Sequence, residues 1–162
     1  MERLGPYRLE QTINVGSIGE VFLAYRDGDP PGHAVVVKRL HRELARRPEH
    51  VALFVQEGVM ARRLEHRNLV RALCAGEVAR EAEGAPPDHY IAMDLVRGPN
   101  LAQLAERGPV PAAAALRIAV DLCAGLAYMH DSGIVHCDVS PTNVLIGPDR
   151  ALLTDFGVTC PV

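Results

Sequence analysis

The chain has 162 residues, of which 48% are hydrophobic and 23% charged, with a formal net charge of −3. This composition is typical of a globular protein and excludes a disordered chain. The acidic balance offers no electrostatic basis for binding nucleic acid or an anionic membrane, so we expect neither as a partner. The four cysteines form no C-x-x-C pair and the first residues contain no apolar signal segment, which predicts a cytoplasmic protein with reduced thiols.

The first part of the chain has the pattern of strands joined by turns. Glycine, proline and aspartate residues over 26–32 form a strong break between two apolar segments. The predicted strands cover residues 7–15, 20–25, 33–40, 69–76 and 89–95. Between the third and fourth strands, Pro48 precedes a segment with apolar residues at helical spacing, which predicts an amphipathic helix over 49–64.

From Asn100 onward the pattern changes to helix. A short helix is predicted over 101–106 and a long one over 111–130, which starts at a proline and ends before a glycine-containing turn. Two short strands, 144–146 and 151–154, follow. This order predicts an α+β fold with two lobes: a five-stranded lobe with one helix over 1–96, and a helical lobe over 97–162.

Two carboxylates and a carboxamide form the most informative pattern of the sequence. Asp138 and Asn143 lie at the two ends of one short loop, and the strand pair that follows brings Asp155 back beside them. Mg²⁺ prefers oxygen ligands of this kind, so the spacing suits a magnesium–nucleotide site. A loop rich in Asp and Asn that caps a turn explains any one of these residues, but not all three together.

These residues resemble a known family. The segment 136–143, H-C-D-V-S-P-T-N, followed by Asp155-Phe156-Gly157, resembles the catalytic loop and the D-F-G triplet of eukaryotic-like protein kinases, in their bacterial form. The resemblance implies a protein-kinase-like bilobal fold and transfer of the γ-phosphate of ATP to a Ser/Thr hydroxyl of a protein substrate. It also implies that Asp138 takes the proton of that hydroxyl and that Asn143 and Asp155 hold Mg²⁺.

The resemblance extends to the first lobe. The segment 35–38, V-V-V-K, is similar to the V-A-I-K strand of kinases, and Glu57 lies nineteen residues after Lys38 in the predicted helix. This implies a catalytic ion pair between Lys38 and Glu57. A strand-end lysine and a solvated glutamate explain the two residues taken alone. The segment 66–70, H-R-N-L-V, also matches the turn that follows this helix in kinases, where we expect His66 to have a structural role.

The same resemblance implies a set of nucleotide contacts. The turn over 14–21 matches G-x-G-x-x-G-x-V with an asparagine at the first glycine position, although a plain hairpin turn explains that pattern equally well. The implied contacts are Asn14, Val15, Gly16, Gly19, Val21, Val36, Lys38, Met93, Asp94, Val96, Asn100 and Leu145. Within this set, the glycine turn cradles the phosphates, the apolar side chains enclose the adenine, and backbone groups of Asp94 and Val96 bind its polar edge.

The sequence also departs from the family pattern. Cys137 replaces an arginine that grips a phosphorylated loop, so activation by loop phosphorylation is not expected. Ser140 replaces a lysine, and loss of one such charged donor lowers the rate on the order of a hundredfold. Only five residues follow Gly157, so we expect a chain truncated after the D-F-G triplet, without the substrate platform. The helix over 111–130 is then left with an apolar surface suited to a partner protein.

Three functional hypotheses follow. The first is an ATP- and magnesium-dependent serine/threonine protein kinase domain, weakened or incomplete. The second is a truncated pseudokinase that binds nucleotide or a partner protein without catalysis. The third is a small-molecule phosphotransferase, which shares the H-x-D-x-x-x-x-N pattern but is disfavoured by the D-F-G triplet and by the turn over 66–70.

Overall fold

The chain forms two compact units. The computed structural model describes residues 2–30, 32–82, 84–156 and 160–161. One unit comprises Met1–Arg62 and Ala72–Leu95, and the other Arg63–Arg71 and Val96–Val162. The segment 63–71 lies within the first lobe as predicted from the sequence (1–96), but it packs with the second unit. Gly157 of the predicted D-F-G triplet lies outside the described residues.

The first unit is a six-stranded antiparallel sheet with one helix, in the strand order β1-β2-β3-β4-β6-β5. Its elements in chain order are β1 (Arg3–Leu4), β2 (Tyr7–Val15), β3 (Gly19–Arg26), β4 (Ala34–Leu40), a 3₁₀ turn (Leu44–Arg46), α1 (Pro48–Ala61), β5 (Ala72–Val78) and β6 (Asp88–Asp94). The five predicted strands and the helix are confirmed. The additional strand, β1, has only two residues, too short to produce a periodic pattern in the sequence.

Two boundaries of the first unit differ from the prediction by three residues, and the others by two residues or fewer. The strand predicted from residue 69 begins at Ala72, because Leu69 and Val70 pair elsewhere. Leu69 forms a bridge with Leu153, and the N–H of Val70 donates to the carbonyl of Leu153 at 2.9 Å, so both belong to the second unit. The helix predicted to residue 64 ends at Ala61, and Leu64 is buried beyond its end.

Apolar side chains cover both faces of the sheet. One cluster packs where β1 to β4 and β6 meet, and consists of Leu4, Tyr7, Leu9, Phe22, Ala24, Val35, Val37, Tyr90 and Ala92. The other packs between the sheet and α1 and includes Leu40, Ala45, Phe54 and Ile91. Alternation along β4 sends successive residues to opposite faces, which is how one strand contributes to both clusters.

The second unit combines two helices with short strand pairs. Its elements are α2 (Leu101–Glu106), α3 (Ala112–Asp131), β7 (Ile134–Val135), a 3₁₀ turn (Pro141–Asn143), β8 (Val144–Ile146), β9 (Ala151–Leu153) and β10 (Cys160–Pro161). β8 and β9 form the predicted antiparallel pair, and β7 pairs with β10. Asn100 begins α2 with a capping box, in which its side chain and that of Gln103 each accept the other's backbone N–H.

Helix α3 packs on one side only. Gly125 and Met129 are buried, and a Cβ on Gly125 would lie 3.1 Å from a side-chain carbon of Leu69, so the glycine permits close packing there. By length and composition alone α3 is apolar enough to cross a membrane. Buried core helices of soluble proteins meet the same criterion, so the expectation of no membrane partner stays a prediction.

Candidate functional site

The first unit contains the predicted lysine–glutamate pair. Lys38 lies in β4 and Glu57 in α1, and Nζ of Lys38 donates to Oε1 of Glu57 at 2.7 Å. Their side chains are only 11% and 5% exposed, so the pair lies in a low-dielectric environment where its attraction is strong. Lys38 is the only lysine among the 17 basic Lys and Arg residues of the chain. The pairing confirms the expected contact, and its catalytic role remains a prediction.

Close packing of α1 on the sheet fixes the glutamate. The next residue, Gly58, is buried, and a Cβ built on it would lie 2.7 Å from Cβ of Ala75 and 3.3 Å from Cγ1 of Ile91. Real Cβ atoms do not approach that closely, so only glycine lets the helix lie at this distance. The sequence pattern of an amphipathic helix does not reveal this requirement.

The glycine turn between β2 and β3 is a tight hairpin. The N–H of Gly16 donates to the carbonyl of Gly19 at 2.9 Å, and a Cβ on Gly19 would lie 2.1 Å from the carbonyl oxygen of Arg39. Asn14, which takes the place of a family glycine, pairs with Val21 in the β2–β3 ladder, directly after a register shift, and its φ is not positive. It therefore does not need the left-handed backbone that only glycine adopts easily. Val15, at the tip, is 61% exposed.

The residues implied to enclose the adenine divide between the two units. In the first unit, Val21, Val36 and Met93 are partly buried on adjacent strands, and Val36 pairs directly with Met93. Asp94 follows Met93 and pairs with Val35. The structure thus places these four implied contacts on neighbouring strands β3, β4 and β6.

The other implied adenine and ribose contacts lie in the second unit. Asn100 forms a backbone bridge with Leu145, while Val96 lies a few residues before it, and all three are partly buried. Oδ1 of Asn100 accepts the N–H of Gln103 at 2.8 Å. Its side chain therefore caps α2, and the ribose contact stays a prediction.

The catalytic-loop residues form a compact group in the second unit. Nδ2 of Asn143 donates to Oδ2 of Asp138 and to its backbone carbonyl, each at 3.0 Å. The first bond holds the exposed carboxylate of Asp138 and the second holds its backbone. Cys137 has a φ of 61° and Asp155 a φ of 65°, a left-handed conformation that is strained for residues with a Cβ.

Buried His136 connects the loop to the strand that leads to Asp155. Its Nδ1 accepts the N–H of Asp138 at 3.3 Å, so Nε2 carries the proton and donates to the carbonyl of Thr154 at 3.1 Å. Burial lowers the pKa of His136, outweighing the opposing effects of the bond to Thr154 and of nearby Asp138 and Asp155. The N–H of Thr154 donates to the carbonyl of Asn143 at 2.9 Å, which brings Asp155 next to Asn143.

Two further residues position the hairpin of β8 and β9. Nδ2 of Asn68 donates to the carbonyl of Ala151 at 3.0 Å, and the N–H of Ala151 donates to Oδ2 of Asp121 in α3 at 2.9 Å. Both bonds tie the start of β9 to the body of the second unit. The sequence predicts Asn68 only as part of the turn over 66–70 and predicts no role for Asp121. The sequence signal for Asp121 is that it is a single acidic residue in the middle of a largely apolar helix.

The chemistry of the donor set fits magnesium. Because Nδ2 of Asn143 is engaged with Asp138, the ligand atom that Asn143 offers is its carbonyl oxygen Oδ1. Asp155 adds a carboxylate, and both are hard oxygen ligands. Among the described residues no group of three His, Cys, Asp or Glu side chains is arranged for a metal ion. The ligands that the second unit offers to magnesium are therefore one carboxylate, from Asp155, and one carboxamide oxygen, from Asn143.

Comparison with known proteins agrees with this geometry. Residues 7–162 match the family model of the protein kinase domain, so the chain belongs to the protein kinase domain family. It is 35% identical to the probable serine/threonine-protein kinase PkwA of Thermomonospora curvata over 99% of the chain. It is 36% identical to the serine/threonine-protein kinase PkaB of Streptomyces coelicolor over 94% of the chain. These relatives place it among bacterial, eukaryotic-like serine/threonine kinases.

Solved structures show the same fold. The crystal structure of the Mycobacterium tuberculosis PknI kinase domain matches 97% of the chain with a TM-score of 0.76 and 31% identity. The kinase-like fold predicted from the sequence is therefore confirmed. The chain spans 61% of that kinase-domain chain, 20% of PkwA and 36% of PkaB.

Proposed function

We propose that the chain is an ATP-binding serine/threonine protein kinase domain that transfers the γ-phosphate of Mg-ATP to a hydroxyl of a protein substrate. The observation that carries this proposal is the buried 2.7 Å ion pair between Lys38 and Glu57. A lysine that is both buried and charge-paired is a preorganised donor for phosphate oxygens. Relatives named as serine/threonine kinases support the substrate class.

Each polar residue has a distinct role in this proposal. Lys38, oriented by Glu57, binds the phosphates, and Asn143 and Asp155 are the residues that hold magnesium, which neutralises phosphate charge when bound. Asp138, fixed by its two bonds from Asn143, orients the acceptor hydroxyl and accepts its proton. The hydroxyl oxygen forms the new bond to the γ-phosphorus as the bond to the β–γ bridging oxygen of ATP breaks, and ADP leaves.

Binding of Mg-ATP to the purified chain tests the proposal. Calorimetric titration should show ATP binding that depends on magnesium. Lys38→Ala and Asp155→Ala should each abolish it or weaken it severely, whereas Asp138→Asn should bind normally and lose phosphoryl transfer. Asp149→Ala, an exposed acid in the β8–β9 turn, is the matched control and should bind like the parent. Normal binding by both of the first two variants would show that the site assignment is wrong.

The single lysine allows a chemical test of the same site. An acyl-phosphate derivative of ATP acylates an amine that lies beside its bound phosphates and releases ATP. Because Lys38 is the only lysine, we expect one acylated side chain in a peptide map. Excess Mg-ATP should block the modification. Labelling confined to the terminal amine would count against phosphate binding at Lys38.

A second candidate is a non-catalytic module that binds a partner protein, and the surface of α3 favours it. Leu116 and Val120 are each 68% exposed, one helical turn apart. Exposed apolar stripes of this kind mark protein interaction surfaces. A chain that binds Mg-ATP but transfers no phosphate to generic protein substrates would favour this function over the kinase.

We also propose that the protein works in the cytoplasm, where ATP is supplied. Cys74, Cys123 and Cys137 are free thiols, as is usual in a reducing compartment. Fractionation of cells that express the tagged protein tests this location, and recovery in the membrane or secreted fraction would contradict it.

A further inference from the structure

His41 contacts the glycine turn at two points. It is the first residue after β4, and its backbone N–H donates to the carbonyl of Ile18 at 3.0 Å. Its ring atom Nε2 lies 2.7 Å from the carbonyl oxygen of Gly16. A carbonyl oxygen only accepts, so Nε2 carries the hydrogen of this bond. The side chain thus reaches 25 residues back along the chain to the tip of the hairpin.

This bond completes the hydrogen bonding of Gly16. The N–H of Gly16 donates to Gly19, and its carbonyl accepts from His41, so both of its backbone polar groups are engaged. Each bond limits rotation of the peptide planes on either side of the glycine. The orientation of the backbone N–H groups in a glycine turn determines whether they can meet phosphate oxygens.

Little else fixes the tip of the turn. Val15 is 61% exposed and Ile18 is 43% exposed, so apolar packing contributes little there. The ladder between β3 and β4 ends at Gly19 and Leu40, just before the tip. A glycine-containing segment without packing has many accessible conformations, and ordering it on ligand binding has an entropic cost. A side-chain donor from the neighbouring strand end reduces that cost.

We propose that His41 is a positioning residue that preorganises the glycine turn for the phosphates of ATP, acting through the carbonyl of Gly16. This inference rests on the proposed nucleotide-binding function. His41 has no place in the G-x-G-x-x-G-x-V or V-A-I-K patterns. Because it acts on the turn, its removal affects ligands that carry phosphates and spares binding of adenosine.

Paired titrations of chain 1–162 with Mg-ATP and with adenosine test the inference. We expect His41→Ala to raise the Kd for Mg-ATP about threefold to tenfold, which is the change expected from the loss of one hydrogen bond. The Kd for adenosine should stay unchanged. His41→Gln places an amide N–H close to the position of Nε2 and should restore the parent affinity. His33→Ala is the matched control, because His33 is an exposed histidine at the other end of β4 that contacts Asp29.

The outcomes separate this inference from the proposed function. If the parent binds Mg-ATP and His41→Ala binds it equally well, the positioning role is wrong while the kinase assignment stands. Equal weakening of Mg-ATP and adenosine would assign His41 a general structural role and overturn the inference. His41→Leu, which keeps bulk without a donor, provides a second donor-free variant if the alanine variant is unfolded. Loss of folding in both would also overturn the inference. A folded parent that binds no Mg-ATP would refute both proposals.

Discussion

The Lys38–Glu57 pair is a residue-scale feature with a large energetic consequence, because both charges are buried. Removing one side of a buried ion pair commonly lowers stability by about 3–5 kcal/mol, because desolvation of the remaining charge is no longer offset. We expect Lys38→Met and Glu57→Gln each to lower the free energy of unfolding by about 3 kcal/mol. The double variant should lose much less than the sum. The parent, the two single variants and the double variant form a double-mutant cycle. Urea denaturation of these four proteins measures the coupling energy between the two side chains.

An exposed ion pair supplies the control for that cycle. Arg3 and Asp27 form a salt bridge with side chains that are 63% and 48% exposed, so solvent screens their attraction. The cycle of Arg3→Met and Asp27→Asn should give a coupling below about 1 kcal/mol. If the Lys38 and Glu57 substitutions prove equally additive, the buried pair contributes no more than a surface pair and our account of it fails.

His136 makes the stability of the second unit depend on pH. Its folded-state pKa is lowered by burial, so between about pH 6.5 and that lower value the unfolded chain binds more protons than the folded one. Stability is therefore fully present above about pH 6.5 and is lost as the pH falls through this window. Protonation also removes the acceptor Nδ1 that holds the N–H of Asp138.

We expect the melting temperature of the parent to fall more steeply between pH 7 and pH 5, a range of about two units around the histidine pKa, than that of His136→Phe. Phenylalanine has no titrating group and fits beside Phe156, whose ring centre lies 5.6 Å from that of His136. His130→Phe, which makes the same substitution at an exposed position of α3, is the matched control. Parallel pH profiles for the parent and His136→Phe would contradict this assignment.

At this scale the sequence predicted contacts better than it predicted supporting roles. The family resemblance implied the ion pair between Lys38 and Glu57, and the loop pattern grouped Asp138 with Asn143; the structure contains a hydrogen bond within each pair. The supporting bonds of His136 and Asp121 depend on which backbone groups meet in three dimensions. No spacing rule along the chain encodes that information, and so these residues were not predicted as positioning groups.

At the scale of elements, α1 lies close enough to the sheet for Glu57 to contact Lys38 of β4 only because Gly58 has no side chain. Gly58→Ala should lower the free energy of unfolding by about 1–3 kcal/mol through overpacking, although alanine is the better helix former by about 1 kcal/mol. The displaced helix also moves Glu57, so the affinity for Mg-ATP should fall with the stability. Chemical denaturation and calorimetric titration of the variant measure both effects.

The clash itself can be relieved in a second variant. Because the nearest atom is Cβ of Ala75, the double variant Gly58→Ala with Ala75→Gly should recover part of the stability and the affinity. Val55→Ala, on an exposed position of the same helix, should leave both nearly unchanged. Should Gly58→Ala prove as stable as the parent, the close approach of α1 to the sheet would not require glycine.

Element types were predictable because their apolar periodicity is local, whereas some boundaries were not. The apolar segment 69–76 has the pattern of one strand, but Leu69 and Val70 join a backbone bridge to β9. Competition between two possible partners decides where a strand begins, and only tertiary structure shows which partner wins. The two-residue strand β1 is likewise fixed by pairing with β2 and leaves no sequence pattern.

At the scale of the whole molecule, one helix face stands out by its exposure. The exposed apolar residues of α3 lie at helical spacing along one stripe: Ala112, Ala113, Ala115, Leu116, Ala119, Val120, Cys123, Ala124 and Ala127. Monomeric proteins rarely leave so continuous an apolar stripe in water. Because burial of such a surface is favourable, the purified chain should associate with itself when no partner covers the helix.

Sedimentation velocity over a range of concentrations measures this association. Leu116→Gln with Val120→Gln should shift the chain toward monomer and leave the affinity for Mg-ATP unchanged, because neither residue contributes to the candidate site. The control is Ile13→Gln with Leu53→Gln, which removes a similar apolar area from positions that are 52% and 60% exposed on separate elements of the first unit. A continuous stripe drives association more effectively than isolated apolar residues, so only the α3 variant should dissociate. Equal effects of both pairs would mean that general surface hydrophobicity, and not the α3 face, causes the association.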